Sequence, residues 1–264
     1  MLIGIDASRA NREQKTGVEW YAWHIIERSK KIIPDNIRVV LYVRESLTGD
    51  LVRLPPNWEE KVLRWPPKFL WTQIRLSGEM WRRPPDVLFV PAHAAPIIHP
   101  HKTVVTIHDV AAAKFPQSYS RFARWYTIWS AKYAVKKLWK VIVPSEFTKK
   151  EVLKLLKQQD SEKIKVIYHG YDNNYSQTVD VAEQAKVLQK YNIKPPYLLS
   201  IGRLEEKKNT KRIIQAFNQI SYKLPATSYK LVLVGMPGHG YKQVKEEIEA
   251  SPYKDRIIMT GWVG

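Results

Sequence analysis

A chain of 264 residues has room for about two domains on the usual length prior and is long enough to bury real cores. It carries 43 Lys and Arg against 25 Asp and Glu, a formal net charge of +18, and its 44% hydrophobic content excludes wholesale disorder. The absence of cysteine excludes disulfides, thiolate metal sites and a cysteine nucleophile. No apolar run approaches the ~18–20 residues of a membrane-spanning helix, and Asp6 interrupts the apolar start that a signal peptide requires. These features describe a basic globular protein of the cytoplasm whose partners are anionic: nucleic acid, an acidic membrane surface or phosphorylated substrates.

Short apolar runs alternate with helical patterns along the chain. The runs are Leu2–Ile5, Val39–Val43, Val87–Val90, Thr103–Ile107, Val141–Val143, Lys165–Ile167, Leu198–Ile201, Leu231–Val234 and Ile257–Met259. Several are apolar at successive positions, as parallel strands covered on both faces require. Helical stretches are expected at roughly 18–31, 120–139, 146–157, 181–191, 210–220 and 241–250, with Ser145 as an N-cap and Asn209 or Thr210 as another. This alternation predicts an α/β doubly wound architecture. The turn-rich segment Tyr168–Ser176 divides a first domain, 1–170, from a connecting segment, 171–194. A second α/β unit, 195–264, then offers three strands and two helices and is expected to be incomplete.

Four places have the residue types for chemistry. Near the N-terminus, Asp6-Ala-Ser-Arg leads through a polar loop to Gly17 at a helix start, where an approaching substrate or a plain turn would use a glycine. Ile107-His108-Asp109 closes a strand, placing His108 to serve as a general acid/base or hydrogen-bond donor. Asp109 is near enough to orient it, although successive side chains of an extended segment point apart; a structural His fits as well. No second His at ligand spacing accompanies it, so no metal site is expected.

The third place is Ser200-Ile-Gly-Arg-Leu-Glu-Glu-Lys-Lys-Asn-Thr210, a strand end feeding a helix start. Free backbone N–H groups there attract phosphate; Arg203 can grip it with two parallel hydrogen bonds, and Lys208 adds a point charge. A solvated surface accounts for the same two cations. The fourth, Gly235-Met-Pro-Gly-His-Gly240, repeats the geometry after the next strand, without the Gly-Lys-Ser/Thr of a P-loop.

Residues 121–140 divide on a helical wheel. Ala123, Thr127, Ile128, Ala131, Ala134, Val135 and Leu138 make a core face. The other side groups Phe122, Trp125, Tyr126, Trp129, Tyr133 and Trp139 with cations that include Lys132 and Lys136. Such an acid-free face is the composition of a peripheral membrane contact through Trp125, Trp129, Lys132 and Lys136. Packing of the rings beneath a neighbouring segment is the other reading.

With these segments in order, the chain resembles the retaining, nucleotide-sugar-dependent glycosyltransferases of family 4, which have the GT-B fold. The resemblance rests on Thr16-Gly17, Ile107-His108-Asp109, Val143-Pro-Ser-Glu-Phe-Thr148 and Lys163-Ile-Lys-Val-Ile-Tyr-His-Gly-Tyr-Asp172. It continues through Gly202-Arg203-Leu with Lys208-Asn209, Val234-Gly235 and Gly261-Trp262-Val263. It implies two Rossmann-like domains, an acceptor-side domain first and a nucleotide-sugar-binding domain second. By resemblance, Arg203 and Lys208 bind the donor diphosphate and His108 contacts the transferred sugar. Gly17, Asp109, Gly202, Gly235, Trp262 and Val263 line the donor and acceptor cleft, with the Gly261-Trp262-Val263 turn near the base. It implies no cofactor and no metal, a nucleotide-sugar donor, a lipid-linked or saccharide acceptor, and no specific nucleic-acid binding.

The implied setting is polysaccharide or glycolipid synthesis at the inner membrane face. Two departures stand out. Glu19 holds a position that is a second glycine in many members, and the family's paired donor-sugar glutamates are expected beyond Gly264. A polyanion-binding module and an inactive truncated relative are the alternative readings. The polyanion-binding module does not explain why His108, Arg203 and Lys208 all fall at strand ends.

Overall fold

The computed structural model describes residues 1–67, 69–158, 161–171, 180–223 and 229–263. They form two compact units, 1–170 and 171–264. The part of the expected boundary turn that covers 172–176 lies outside the described residues.

The first unit is a seven-stranded, wholly parallel sheet. Its strands are β1 (Leu2–Asp6), β2 (Arg38–Val43), β3 (Trp58–Val62), β4 (Val87–Val90), β5 (Lys102–Thr106), β6 (Lys140–Val143) and β7 (Ile164–Val166), in the order β3-β2-β1-β4-β5-β6-β7. The apolar runs of the sequence become the central strands because both faces of the sheet are covered. Val39, Leu41 and Val43 pack on one face with Ala22 and Ile26 of α1 (Gly17–Ile32). Val40, Leu88 and Val105 pack on the other with Leu76 and Met80, and with α4 (Arg121–Lys137) and α5 (Glu146–Leu156) through Val135 and Val152. A π-helical turn (Trp71–Leu76) runs into α2 (Ser77–Arg82), and α3 spans Ala111–Lys114.

Helix entries follow the local signals. Ser145 accepts the Thr148 amide at 3.1 Å and Ser120 accepts the Ala123 amide at 3.2 Å, satisfying N–H groups that the first turns leave open. Two elements escape the periodicity. The strand β3 is an edge with the sequence Trp-Glu-Glu-Lys-Val, whose charges protect an exposed edge but hide the strand pattern. The 71–82 segment begins with π geometry and contains Ser77-Gly78, so no 3.6-residue period shows.

The second unit contains α6 (Val181–Lys190), β8 (Tyr197–Ile201), α7 (Thr210–Lys223), β9 (Lys230–Val234), α8 (Tyr241–Glu249) and β10 (Ile257–Gly261). Its strands are parallel, in the order β10-β9-β8. Ile214, Phe217, Leu231, Leu233, Val244 and Ile248 form its core. The helix α6 falls in the segment expected to be a connection and buries none of its residues. Leu199 and Ile201 on β8 remain exposed.

Candidate active site

In an open α/β sheet, ligands gather outside the carboxyl ends of the strands where the strand order reverses. In the first unit that point lies between β1 and β4. The residues that follow those strands, Asp6, Ser8 and Arg9 on one side and Ala92 and His93 on the other, line a cavity of about 340 Å³. It shares Ser8, Arg9, Thr72, Ala94 and Tyr126 with a cleft of about 620 Å³ that reaches outward to Arg12, Arg44, Phe69 and Phe122.

His108 follows β5 and is half-buried. Its Nε2 lies 2.9 Å from the Pro91 carbonyl oxygen, which can only accept, so Nε2 carries the hydrogen and Nδ1 is left as the acceptor. Burial holds the His108 pKa below its ordinary value, and the Pro91 contact opposes this only in part. The imidazole is therefore neutral near pH 7. Around it stand Tyr21, edge-on at 4.7 Å between ring centroids, His93 at 5.4 Å and His169 at 5.6 Å. Tyr21 is fixed by a 3.2 Å hydrogen bond between its hydroxyl and that of the fully buried Thr106. Asp109 is exposed, and its Oδ1 accepts the Ala111 amide at 2.9 Å, at the start of the short α3.

His93 was legible by the same rule that singled out His108, since it too follows an apolar strand, but it stands three residues past the end of β4. Burial lowers its pKa to about 4. Its Nδ1 is buried and has no hydrogen-bond partner among the described residues, and the same holds for the Ser130 hydroxyl on the same cavity wall. Beneath them Asp6 accepts the Ser8 amide at 3.0 Å, and burial raises its pKa.

Gly17 opens α1, and a Cβ built on it would meet no atom within 4 Å. Glu19, two residues on, is buried, and its carboxylate accepts from the Thr16 amide at 3.2 Å and from the Thr16 hydroxyl. The same carboxylate pairs with Arg9 at 3.2 Å and Arg12 at 3.5 Å.

In the second unit the expected phosphate turn and the glycine turn are joined. Leu204 N donates to Met236 O, Gly238 N to Leu204 O and Glu206 N to His239 O, each at 3.0 Å. Gly235 has φ +142°, and a Cβ there would stand 2.1 Å from the Gly202 carbonyl oxygen; one at Gly238 would stand 2.6 Å from the Glu205 carboxylate. Both glycines thus serve turn against turn within the protein. Gly202, at φ +151°, faces open space. Arg203 and Lys208 are exposed, and among the described residues neither is paired with a carboxylate. Arg203 follows β8, Lys208 ends the short 3-10 turn Glu206–Lys208 between β8 and α7, and Trp262 and Val263 follow β10.

On α4 the two readings of the aromatic face divide between different rings. Tyr126 accepts from Gln73 at 2.8 Å, and Tyr133 donates to the Ile97 carbonyl at 2.9 Å. Phe122 and Trp125 are 62% and 59% exposed, Trp129 is half-buried and stacks on Trp125 at 6.1 Å, and Lys132 and Lys136 are exposed. Among the described residues no helix is long and apolar enough to cross a membrane, and no three His, Asp or Glu side chains are grouped to hold a metal.

A family model described as Glycosyltransferase Family 4 matches residues 16–175, and one described as Glycosyl transferases group 1 matches 182–264. Among solved structures, the chain is similar to Anabaena HepE in complex with UDP-glucose, with TM-score 0.69 and 16% identity over 100% of this chain and 69% of that one. It is also similar to WaaG, described as a glycosyltransferase involved in lipopolysaccharide biosynthesis, with TM-score 0.66 and 14% identity over 100% of this chain and 70% of that one. A glycosyltransferase from Rickettsia africae gives TM-score 0.59 and 16% identity over 100% and 68%. No curated protein matches significantly. The architecture is that of the GT-B glycosyltransferases.

Proposed function

The chain belongs to Glycosyltransferase Family 4, and we propose that it moves a sugar from a nucleotide-sugar donor to an acceptor hydroxyl, with retention at the anomeric carbon. The observation that carries this reading is the pair of exposed cations, Arg203 and Lys208, on the turn between β8 and α7, which interlocks with the turn after β9. Cations fixed there stabilise the negative charge that develops on a diphosphate as its bond to the sugar breaks. The UDP-glucose named with the HepE structure supports a nucleotide-sugar as the donor. In this reading Arg203 and Lys208 supply the charge, and no cofactor or metal is needed.

In the same reading Gly202, Gly235, Trp262 and Val263 shape the donor side, while Gly17 leaves room on the acceptor side. Neutral His108, with Nδ1 available, is assigned to a hydroxyl of the transferred sugar. Asp109 acts by shaping the loop behind it. The setting is polysaccharide or glycolipid synthesis at the cytoplasmic face of a membrane, touched by Trp125, Trp129, Lys132 and Lys136. The exposed rings and cations of α4 support that placement.

Incubation with a panel of UDP-, GDP-, ADP- and TDP-sugars, with release of the free nucleotide followed and the product anomer read by NMR, tests this reading. Transfer from one donor with the anomeric configuration kept is expected. An inverted product overturns the retaining assignment.

A further inference from the structure

The 620 Å³ cleft of the first unit has three chemically distinct parts. At its inner end, where it merges with the smaller cavity, are the two buried polar atoms without partners, His93 Nδ1 and Ser130 Oγ. Buried polar groups of this kind are costly unless something bonds to them, and sugar hydroxyls can donate and accept there. Along its wall stand three guanidiniums, Arg9, Arg12 and Arg44. Beyond them the lining becomes apolar, with Phe69 at 69% exposure, Phe122 at 62% and Leu70.

The arginines are brought together by the fold. Arg9 and Arg12 lie on the loop after β1, and Arg44 immediately follows β2. Asn11 ties these loops: its side-chain amide donates to the carbonyls of Glu45 and Ser46, and its Oδ1 accepts the Thr48 amide at 2.9 Å. Burial first, and then the nearby Arg12 and Arg9, hold the Arg44 pKa below its ordinary value, opposed in part by the carboxylates of Asp6 and Glu45. Two buried carboxylates face the cluster, Glu19 toward Arg9 and Arg12 and Asp6 toward Arg9 and Arg44, while Glu13 and Glu45 on the wall are exposed to water. At the apolar end Leu70 holds a left-handed backbone, φ 63°, just before the π-helical turn; such geometry is costly for a bulky residue and concentrates at ligand sites.

We propose that this cleft binds an acceptor in which a phosphate or diphosphate joins a sugar to a hydrocarbon chain. The sugar reaches His93 and Ser130, the phosphate lies on Arg9, Arg12 and Arg44, and the chain leaves over Leu70, Phe69 and Phe122. Planar guanidiniums bind phosphate oxygens in pairs, and exposed rings in line with them remove the first part of the chain from water. This deepens the acceptor half of the proposed function and rests on that reading for the word acceptor, though not for the binding.

Calorimetric titration of the whole chain with farnesyl diphosphate, inorganic pyrophosphate and farnesol tests it. Farnesyl diphosphate is expected to bind at least 10-fold more tightly than either part alone. Arg12→Gln and Arg44→Gln, each checked for folding by circular dichroism, weaken it 10-fold or more, and Phe122→Ser weakens it about 5-fold. Arg203→Ala, on the donor side, leaves it unchanged. Equal binding of pyrophosphate and farnesyl diphosphate would reduce the site to a general anion site, and equal binding of farnesol would remove the arginines from it; either overturns the proposal. So would loss of farnesyl diphosphate binding in Arg203→Ala. Because no donor is present, failure here leaves the transferase reading standing, and failure of nucleotide-sugar binding leaves this one standing.

Discussion

Arg9 is paired with Glu19 across ten residues of chain, Nη1 to Oε1 at 3.2 Å, and the same carboxylate oxygen takes Arg12 at 3.5 Å. Glu19 thereby does two jobs. It closes the first turn of α1 on Thr16, and it fixes two of the three guanidiniums of the cleft. A glycine at this position can do neither, so the departure from the family pattern has a local physical reason.

Glu19→Gln keeps the hydrogen bonds to Thr16 and removes the charge. Burial raises the Glu19 pKa, but the Thr16 hydroxyl and the two guanidiniums outweigh it and leave the value below that of an ordinary Glu. A lowered carboxylate pKa stabilises the fold above the unfolded value of about 4.3, and that share is lost as pH falls through the folded value. Urea denaturation between pH 7 and 3 should therefore show the wild type losing its advantage over Glu19→Gln at the acid end. At pH 7 the variant should be less stable by about 1 kcal/mol.

His93 and His108 act in a different window. Both are held below the ordinary His value, first by burial, and His93 reaches about 4. A His whose folded pKa is depressed leaves the unfolded chain binding more protons below about 6.5, so stability is complete above that pH and falls on acidification toward 4. His93→Gln should flatten this slope. A slope unchanged by the variant would show that His93 is not buried as described.

His108→Ala should lower kcat about 100-fold with donor affinity within 2-fold of wild type, since the imidazole is assigned to the reacting sugar rather than to the nucleotide. Steady-state kinetics beside calorimetry would check the split.

Two glycines should behave oppositely. Gly235→Ala drives a Cβ into the Gly202 carbonyl at a φ that side chains avoid, and should cost about 2 kcal/mol or more. Gly17→Ala enters open space and should change stability by less than about 0.5 kcal/mol. A higher acceptor KM in that second variant would place bound substrate against α1. Thermal melts of both variants give the comparison.

Binding to vesicles of phosphatidylglycerol and phosphatidylcholine should be strong at low salt and weaken as salt screens it. Lys132→Glu with Lys136→Glu should weaken it more than 10-fold, and Trp125→Ser should weaken it at every salt concentration. Co-sedimentation that ignores all three changes would remove α4 from the membrane contact.

Much of this molecule was legible before any coordinates. The nine apolar runs and six helical stretches fall on elements of the structure, because central parallel strands and capped amphipathic helices carry their own local signals. The strand Trp58–Val62 was not legible, since an edge needs charge more than it needs apolar residues. His108 and Arg203 stood out because each follows closely on a strand, and Lys208 because it lies in the turn that joins β8 to α7. The cluster of Arg9, Arg12 and Arg44 did not: Arg44 is more than 30 positions from Arg12, and only the pairing of β1 with β2 and the Asn11 clasp bring them together. By sequence the glycines of 235–240 admit either the close approach of a ligand or a plain turn, and the structure uses Gly235 and Gly238 to press one turn against another.

The proposed activity depends on the second unit holding a nucleotide-sugar through Arg203 and Lys208. Titration of the whole chain with the UDP-, GDP-, ADP- and TDP-sugars, beside Arg203→Ala and Lys208→Ala, tests it most directly. Binding of one nucleotide class is expected in the wild type, with at least a 10-fold loss in each variant. Binding that both variants retain unchanged would contradict it.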